Sequence, residues 1–254
     1  MNPLNDLAKT VGFRRAGRTF DSPPPQFEPD GPPSTRELAN EMLAFAQLPR
    51  LFASSPRLLA APRGDGSVVF DVPGWKAPEV SMQPIRTYLS CLGYDARTWG
   101  HGTNRGSVEA DVLQFRATVE KAAEISERPV GLVGWSLGGV IAREVAREIP
   151  EAVSGVVTFG SPIVGGPAHT VAARNYTEKE SRRFEELIEK VNRENPLGVP
   201  ITAIFTRRDG VVNWRACIDR NTEGVRHVEV SSSHLGLGLD PDVWLATAEA
   251  LAAA

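Results

Sequence analysis

One nine-residue stretch limits this chain more than any other. Residues 132–140, LVGWSLGGV, close an apolar run and open a helical pattern. Ser136 stands between Gly134 and Gly138, with a further glycine, Gly139, directly behind. The run before the serine reads as a buried strand, and the spacing after it reads as one face of a helix. The chain must therefore pass from strand to helix within about one residue. So sharp a turn forces its central residue into a disfavoured backbone conformation, and glycines on either side leave room for neighbouring chain.

From Ser67 onward the same alternation recurs. Strand-like runs are VVFDV (68–72), VGLVG (130–134), VSGVVTF (153–159), ITAIF (201–205) and VRHVEV (225–230). Helical patterns lie between and after them: MQPIRTYLSCLG, SVEADVLQFRATVEKAAEISER, SLGGVIAREVAREIP and PDVWLATAEALAA. In the second of these, Val108, Val112, Phe115, Val119 and Ala122 recur at steps of three and four, so they share one helix face. Strands separated by such helices predict an α/β fold with a mostly parallel central sheet flanked by helices. In open sheets of this kind, ligands bind beyond the carboxyl ends of the strands.

Two segments depart from the alternation. Residues 1–63 read as an N-terminal arm, extended and proline-rich over 21–33, with helices packed on a main domain of residues 64–254. Ser34 or Thr35 can cap a helix over 36–48, with Glu37 in its first turn. The second segment, about 163–199, is too long for a simple crossover and reads as a helical cap insertion. Phe184, Leu187, Ile188 and Val191 form an apolar stripe on its otherwise charged helix. That stripe either packs a surface helix down or faces a substrate cleft as a lid.

Composition removes several classes of function. The formal net charge is -3 over 254 residues, which offers no basic surface for nucleic acid. Cys91 and Cys217 are far apart, and His101, His169, His227 and His234 are scattered, so no disulfide framework and no metal site are expected. No run approaches the roughly 20 apolar residues that span a bilayer. The first residues lack a secretory pattern, so the expected location is cytoplasmic. The sequon at Asn175-Tyr176-Thr177 matters only in a secretory pathway.

Ser136 is the candidate nucleophile, because the strand–G-x-S-x-G–helix arrangement exposes its hydroxyl at a sheet edge and a helix N-terminus. There the amide of Leu137 is free to stabilise an anion. A serine hydroxyl needs a base. His234, between the last strand and the last helix, is the candidate, with His101 after another strand as its rival. The histidine in turn needs an acid. Asp209, beside Gly210 and just beyond ITAIF, fits that place; Asp219 and Asp240 are the alternatives. A second oxyanion donor is expected from DVPGW, where Gly74 turns the backbone and Trp75 presents its amide.

On these residues the chain resembles the α/β-hydrolases, in particular bacterial lipases and esterases. The motifs that carry the resemblance are DVPGW, LGYDARTWGHGTNRG, LVGWSLGGVIAREVA, VTFGSPIVG, RRDGVVNW and SSHLGLG, spread over about residues 64–254. The resemblance implies a sheet of about eight strands and a cap after the sixth. It implies Ser136 as nucleophile, Asp209 as acid and His234 as base. It also implies Trp75 and Leu137 as oxyanion-hole amides, and Gly134, Trp135, Gly138 and Gly139 as the nucleophile elbow. Where many lipases have His-Gly, this chain has Pro73-Gly74. The expected activity is hydrolysis of a small-molecule carboxylic ester through an acyl-enzyme, without cofactor or metal. Acyl transfer, or hydrolysis of a polyester, thioester or amide, would use the same residues. A non-catalytic binding protein on this fold is the third possibility.

Overall fold

The apolar runs become strands almost residue for residue. In the computed structural model, residues 17–20, 29–39, 41–42, 44 and 47–254 are described. They contain β1 (Arg18–Phe20), α1 (Thr35–Ala39), α2 (Gln47–Ala53), α3 (Ser55–Leu59) and β2 (Val68–Val72). Next come α4 (Gln83–Leu92), β3 (Asp95–Thr98), α5 (Val108–Ser126), β4 (Val130–Trp135), α6 (Leu137–Glu148) and β5 (Val153–Phe159). The chain ends with α7 (Glu178–Glu194), β6 (Ile201–Phe205), β7 (Arg226–Glu229) and α8 (Pro241–Leu251).

One sheet runs in the order β1-β7-β6-β5-β4-β2-β3. Every pairing from β3 to β7 is parallel, and β1 alone pairs antiparallel, on β7. The chain lays down β2, steps outward to β3, then returns to the other side of β2 with β4 and continues through β7. The order therefore reverses between β2 and β4. A crevice opens at such a point, beyond the carboxyl ends of those two strands. Among the described residues the sheet has seven strands instead of about eight, and the long insertion follows β5 instead of a sixth strand. The counts differ because only β1 precedes the parallel part, which starts at Val68.

Period-2 alternation divides the strands between two cores. Val130 and Leu132 of β4 join Phe70, Phe115, Val119, Ile141 and Val145 on one face. Val133 and Trp135 join Ile85, Leu89, Phe159, Leu237 and Val243 on the other. Each face is thus closed by helices, α5 and α6 on one side and α4 and α8 on the other. The stripe expected on α5 is the one that packs: Val112, Phe115, Val119 and Ala122 are buried, and Val108 leans against them.

The N-terminal helix begins as expected and stops early. Ser34 Oγ accepts the Glu37 amide, and Glu37 Oε2 accepts the Ser34 amide, a reciprocal cap at the start of α1. The helix ends at Ala39 instead of running to 48. Glu41, two residues on, turns inward and is buried. Residues 21–28 of the proline-rich stretch lie outside the described residues.

The insertion folds as two short turns, Gly166–His169 and Val171–Asn175, followed by α7. Thr177 and Glu180 form a capping box at the start of α7. Ile188 and Val191 are half-buried, and Phe184 and Leu187 are exposed. Asn192 ties the helix down by donating to the Ile163 carbonyl at 2.9 Å. The stripe is therefore split: its inner edge packs and its outer edge faces solvent.

Phe115 is fully buried and meets Phe70 and Trp99 edge-on, with ring centroids 5.8 and 6.3 Å apart. Phe115→Ala should lower unfolding stability by about 3–5 kcal/mol, read from urea titration, because a rigid core does not collapse around the lost ring.

Candidate active site

At the end of β4 the backbone does what the glycine spacing requires. Ser136 has φ 54° and ψ -124°, a conformation that residues with a side chain rarely hold. The packing around it leaves no alternative. A methyl group at Gly134 would lie 2.4 Å from the Gly139 Cα, and one at Gly138 would lie 2.2 Å from the Val72 carbonyl oxygen. The first turn of α6 is thus pressed against the ends of both β2 and β4. Ser136 N donates to the Phe159 carbonyl at 2.9 Å, tying the turn to β5 as well.

Asp209 and His234 come from the ends of two other strands and meet. His234 Nδ1 donates to Asp209 Oδ2 at 2.7 Å, with both side chains buried. The other Asp209 oxygen accepts the amides of Val211 and Val212, which fixes the carboxylate in its own turn. Burial alone pulls the His234 imidazole down. The Asp209 carboxylate, its hydrogen bond and Glu41 together outweigh burial and hold His234 above its ordinary 6.5. The ring lies over Gly160, where a methyl group would be 2.9 Å from Nδ1, and 6.0 Å from the Trp135 ring. Gly160 directly follows Phe159, the residue that accepts from Ser136. Ser136 and His234 therefore flank one short piece of chain at the end of β5.

The competing residues are engaged elsewhere. Asp219 is paired with the buried Arg143 at 2.7 Å. Asp240 accepts from Arg50 at 3.1 Å and from the Asp242 amide at the start of α8. His101 pairs with Thr118 at 3.2 Å. His227 accepts the Asp219 amide through Nε2, and burial holds it below its ordinary value. His169 pairs with Glu185 of α7 at 3.3 Å.

The loop after β2 approaches the serine from the opposite side. A methyl group at Gly74 would sit 3.2 Å from the Ser136 Cβ and 3.9 Å from its Oγ, so Gly74 lies beside the serine side chain. Asn104 fixes that loop: its Nδ2 donates to the Pro73 carbonyl at 2.8 Å, and its own carbonyl accepts the Lys76 amide at 2.7 Å. The Trp75 ring, exposed, packs by Gly106, as does the Leu137 side chain. The amide of Leu137, first in α6, belongs to the turn whose amides have no partner within the helix.

Comparison with known proteins agrees with this architecture. A family model described as the Alpha/beta hydrolase family matches residues 43–252. The chain belongs to the alpha/beta hydrolase family. Among solved structures, a chain from the work on LipS and LipT, two metagenome-derived lipolytic enzymes, aligns with TM-score 0.53 and 18% identity, over 74% of this chain and 92% of that one. Lipase B of Aspergillus fumigatus aligns with TM-score 0.55 and 17% identity, over 74% of this chain and 55% of that one. At these identities the likeness is one of fold.

Among curated proteins, a pimeloyl-[acyl-carrier protein] methyl ester esterase of Aliivibrio salmonicida is 31% identical over 102 residues, 39% of this chain and 37% of that protein. One of the same name from Sodalis glossinidius is 39% identical over 62 residues, 24% of this chain and 23% of that one. This α/β-hydrolase thus spans well under half of the curated relatives it matches.

Among the described residues of this α/β-hydrolase, no three His, Cys, Asp or Glu side chains gather as metal ligands, and no helix is long and apolar enough to cross a membrane. Sequence reasoning missed two residues at the site. Asn104 had a faint signal in its place within GTNRG, among turn residues. Glu41 had none, since it lies on the arm and its partners lie more than 160 residues away.

The raised His234 has a consequence for stability. Its contribution is fully present below 6.5 and is lost as pH rises through its higher folded value. Asp209→Asn removes the main cause of that elevation. The stability gap between the wild-type α/β-hydrolase and Asp209→Asn should therefore be wider near about pH 5 than near about pH 9. Denaturant titrations at both values would measure it.

Proposed function

We propose that this protein is a serine hydrolase that cleaves carboxylic esters through an acyl-enzyme. The observation that carries this reading is the buried 2.7 Å bond between Asp209 and His234, at the same sheet edge as the strained Ser136. In the proposed cycle the Ser136 Oγ attacks the ester carbonyl while His234 Nε2 takes its proton. Asp209 holds the Nδ1–H tautomer and stabilises the imidazolium that forms. The amides of Leu137 and Trp75 receive the oxyanion. His234 then gives its proton to the departing alcohol, leaving Ser136 acylated. Water repeats the sequence, releases the acid and restores the serine, so no cofactor enters.

The curated relatives are named as methyl ester esterases, which supports a carboxylic ester as the bond cleaved here. The charged α7 suits a soluble ester better than a lipid interface. The exposed Trp75, next to the Gly74 that lies beside Ser136, and the exposed Leu235, next to His234, offer apolar contact to a substrate. The exposed free thiol of Cys91 fits a reducing compartment, in keeping with a cytoplasmic enzyme.

A fluorophosphonate probe should label Ser136 in the folded protein and fail to label Ser136→Ala. On p-nitrophenyl esters from acetate to palmitate, activity should peak at short acyl chains and fall at least about 10³-fold in Ser136→Ala. Unchanged turnover in that variant would refute the assignment. Faster product formation with an added alcohol acceptor, giving a new ester, would make the enzyme an acyltransferase on the same residues.

A further inference from the structure

Glu41 belongs to the arm, ahead of the α/β alternation, yet its carboxylate lies at the heart of the site. It is buried, and its Oε1 accepts the amides of Gly210 at 2.8 Å and His234 at 2.9 Å. Its Oε2 accepts the amide of Leu235 at 2.7 Å. Gly210 directly follows Asp209. One carboxylate therefore grips the peptide next to the acid and the peptides at and after the histidine. Bonds of this kind, from amides to an ionised acceptor, are stronger than those between neutral groups.

The neighbouring strands cannot supply that grip. The ladder between β6 and β7 ends with Val230 N donating to the Phe205 carbonyl. One step further, Thr206 Oγ1 donates to the Ser232 carbonyl at 2.6 Å. Beyond that point the two loops are held together by Glu41 and by the Asp209–His234 bond itself. The arm around Glu41 is anchored independently. A methyl group at Gly210 would lie 2.3 Å from the Glu37 carbonyl oxygen, so the arm backbone presses on that turn. Asn213 donates to Asp30 and to the Gly31 carbonyl, both at 2.9 Å. Arg50 reaches Asp240 and Asp242, and Arg57 reaches Asp242.

We infer that Glu41 is a positioning residue for the proposed reaction: it sets the separation of the Asp209 and His234 loops, so that the N-terminal arm completes the active site. This rests on the serine-hydrolase reading above. Glu41 also acts at a distance through its charge. The charged groups facing His234 are Asp209, from the loop after β6, and Glu41, from the arm; β4 and the turn after β5 present the uncharged Trp135 and Gly160. Both carboxylates favour the imidazolium that forms during the reaction.

The test uses the full chain with Glu41→Gln and Glu41→Asp. Glu41→Gln loses the charge and turns an amide donor toward at least one of the three amides. Its kcat on p-nitrophenyl acetate should fall about 10- to 100-fold, the cost of misplacing reacting groups by a fraction of an ångström to one ångström. KM should stay within about threefold, because Glu41 does not touch the substrate. The acid limb of its kcat/KM profile should move to lower pH, since a carboxylate that favours protonated His234 is gone. Glu41→Asp keeps the charge and shortens the reach, so kcat should fall while the acid limb stays in place. It carries the test alone if Glu41→Gln does not fold.

Proton NMR supplies a readout apart from activity. The Nδ1–H resonance of His234 should weaken or shift upfield in Glu41→Gln as its bond to Asp209 loosens. A folded Glu41→Gln with wild-type kcat, pH profile and Nδ1–H resonance would overturn the inference. So would a loss of kcat that only tracks the unfolded fraction. If Ser136→Ala keeps full activity, the hydrolase reading fails, and the NMR comparison still decides whether Glu41 holds the Asp209–His234 pair.

Discussion

Ser136 holds a left-handed backbone only because the first turn of α6 rests against the ends of β2 and β4 with no side chain between them. The Gly138 Cα faces the Val72 carbonyl, and Gly134 faces Gly139. This contact does two things at once. It brings α6 back over the sheet in the direction a parallel crossover needs, and it lifts one hydroxyl clear of the backbone at the point where strand order reverses. The strain is a local cost of order 1–3 kcal/mol, offset by the burial of α6 in the core it shares with α5. Fold and site share one constraint.

Around that point, burial sorts the ionisable groups. Arg143 takes Asp219, Arg86 takes Asp71 and Arg50 takes Asp240. Each carboxylate carried to depth needs a partner, because an uncompensated charge there is costly. Asp209 is matched by a histidine and two amides of its own turn instead of a guanidinium. That choice matters chemically. An arginine would hold the acid permanently neutralised, while an imidazole can pass between neutral and charged at ordinary pH. The elevated His234 follows from the same arrangement.

The arm changes how the site should be regarded. In a sheet of parallel strands each loop is anchored at its own strand end and is free to drift from its neighbour. The loops after β6 and β7 are drawn together by a carboxylate that arrives from outside the alternation. Its helix starts with a reciprocal Ser34–Glu37 cap and is described to Ala39, and Glu41, two residues on, is buried. The arm therefore meets the site loops through a hydrogen-bonded carboxylate as well as through ion pairs at α8.

Much of this was legible in the residues alone. Strand bounds at 68–72, 153–159 and 201–205, the α5 stripe and the elbow all follow from local periodicity and glycine spacing, because each is decided within about ten residues. The candidates Ser136, Asp209 and His234 follow from one further rule, that residues just past parallel strands share an edge. Local pattern could not say which acid meets which histidine. Asp219 and Asp240 stand after plausible elements too, and only their three-dimensional pairing with Arg143 and Arg50 removes them. Nor could it reveal β1 on β7, or the split of the α7 stripe. Glu41 marks the limit most clearly. Its own stretch, NEMLAFA, carries no mark of a site, and its partners lie 169 and 193 residues further along. Sequence by itself determined most strands and helices of the parallel part and the sheet edge at which Ser136, Asp209 and His234 fall, since those depend on near neighbours. Tertiary structure alone decided the pairing of charges and the bonds from Glu41 of the arm to the loops after β6 and β7, since those depend on groups that only folding brings within hydrogen-bond reach.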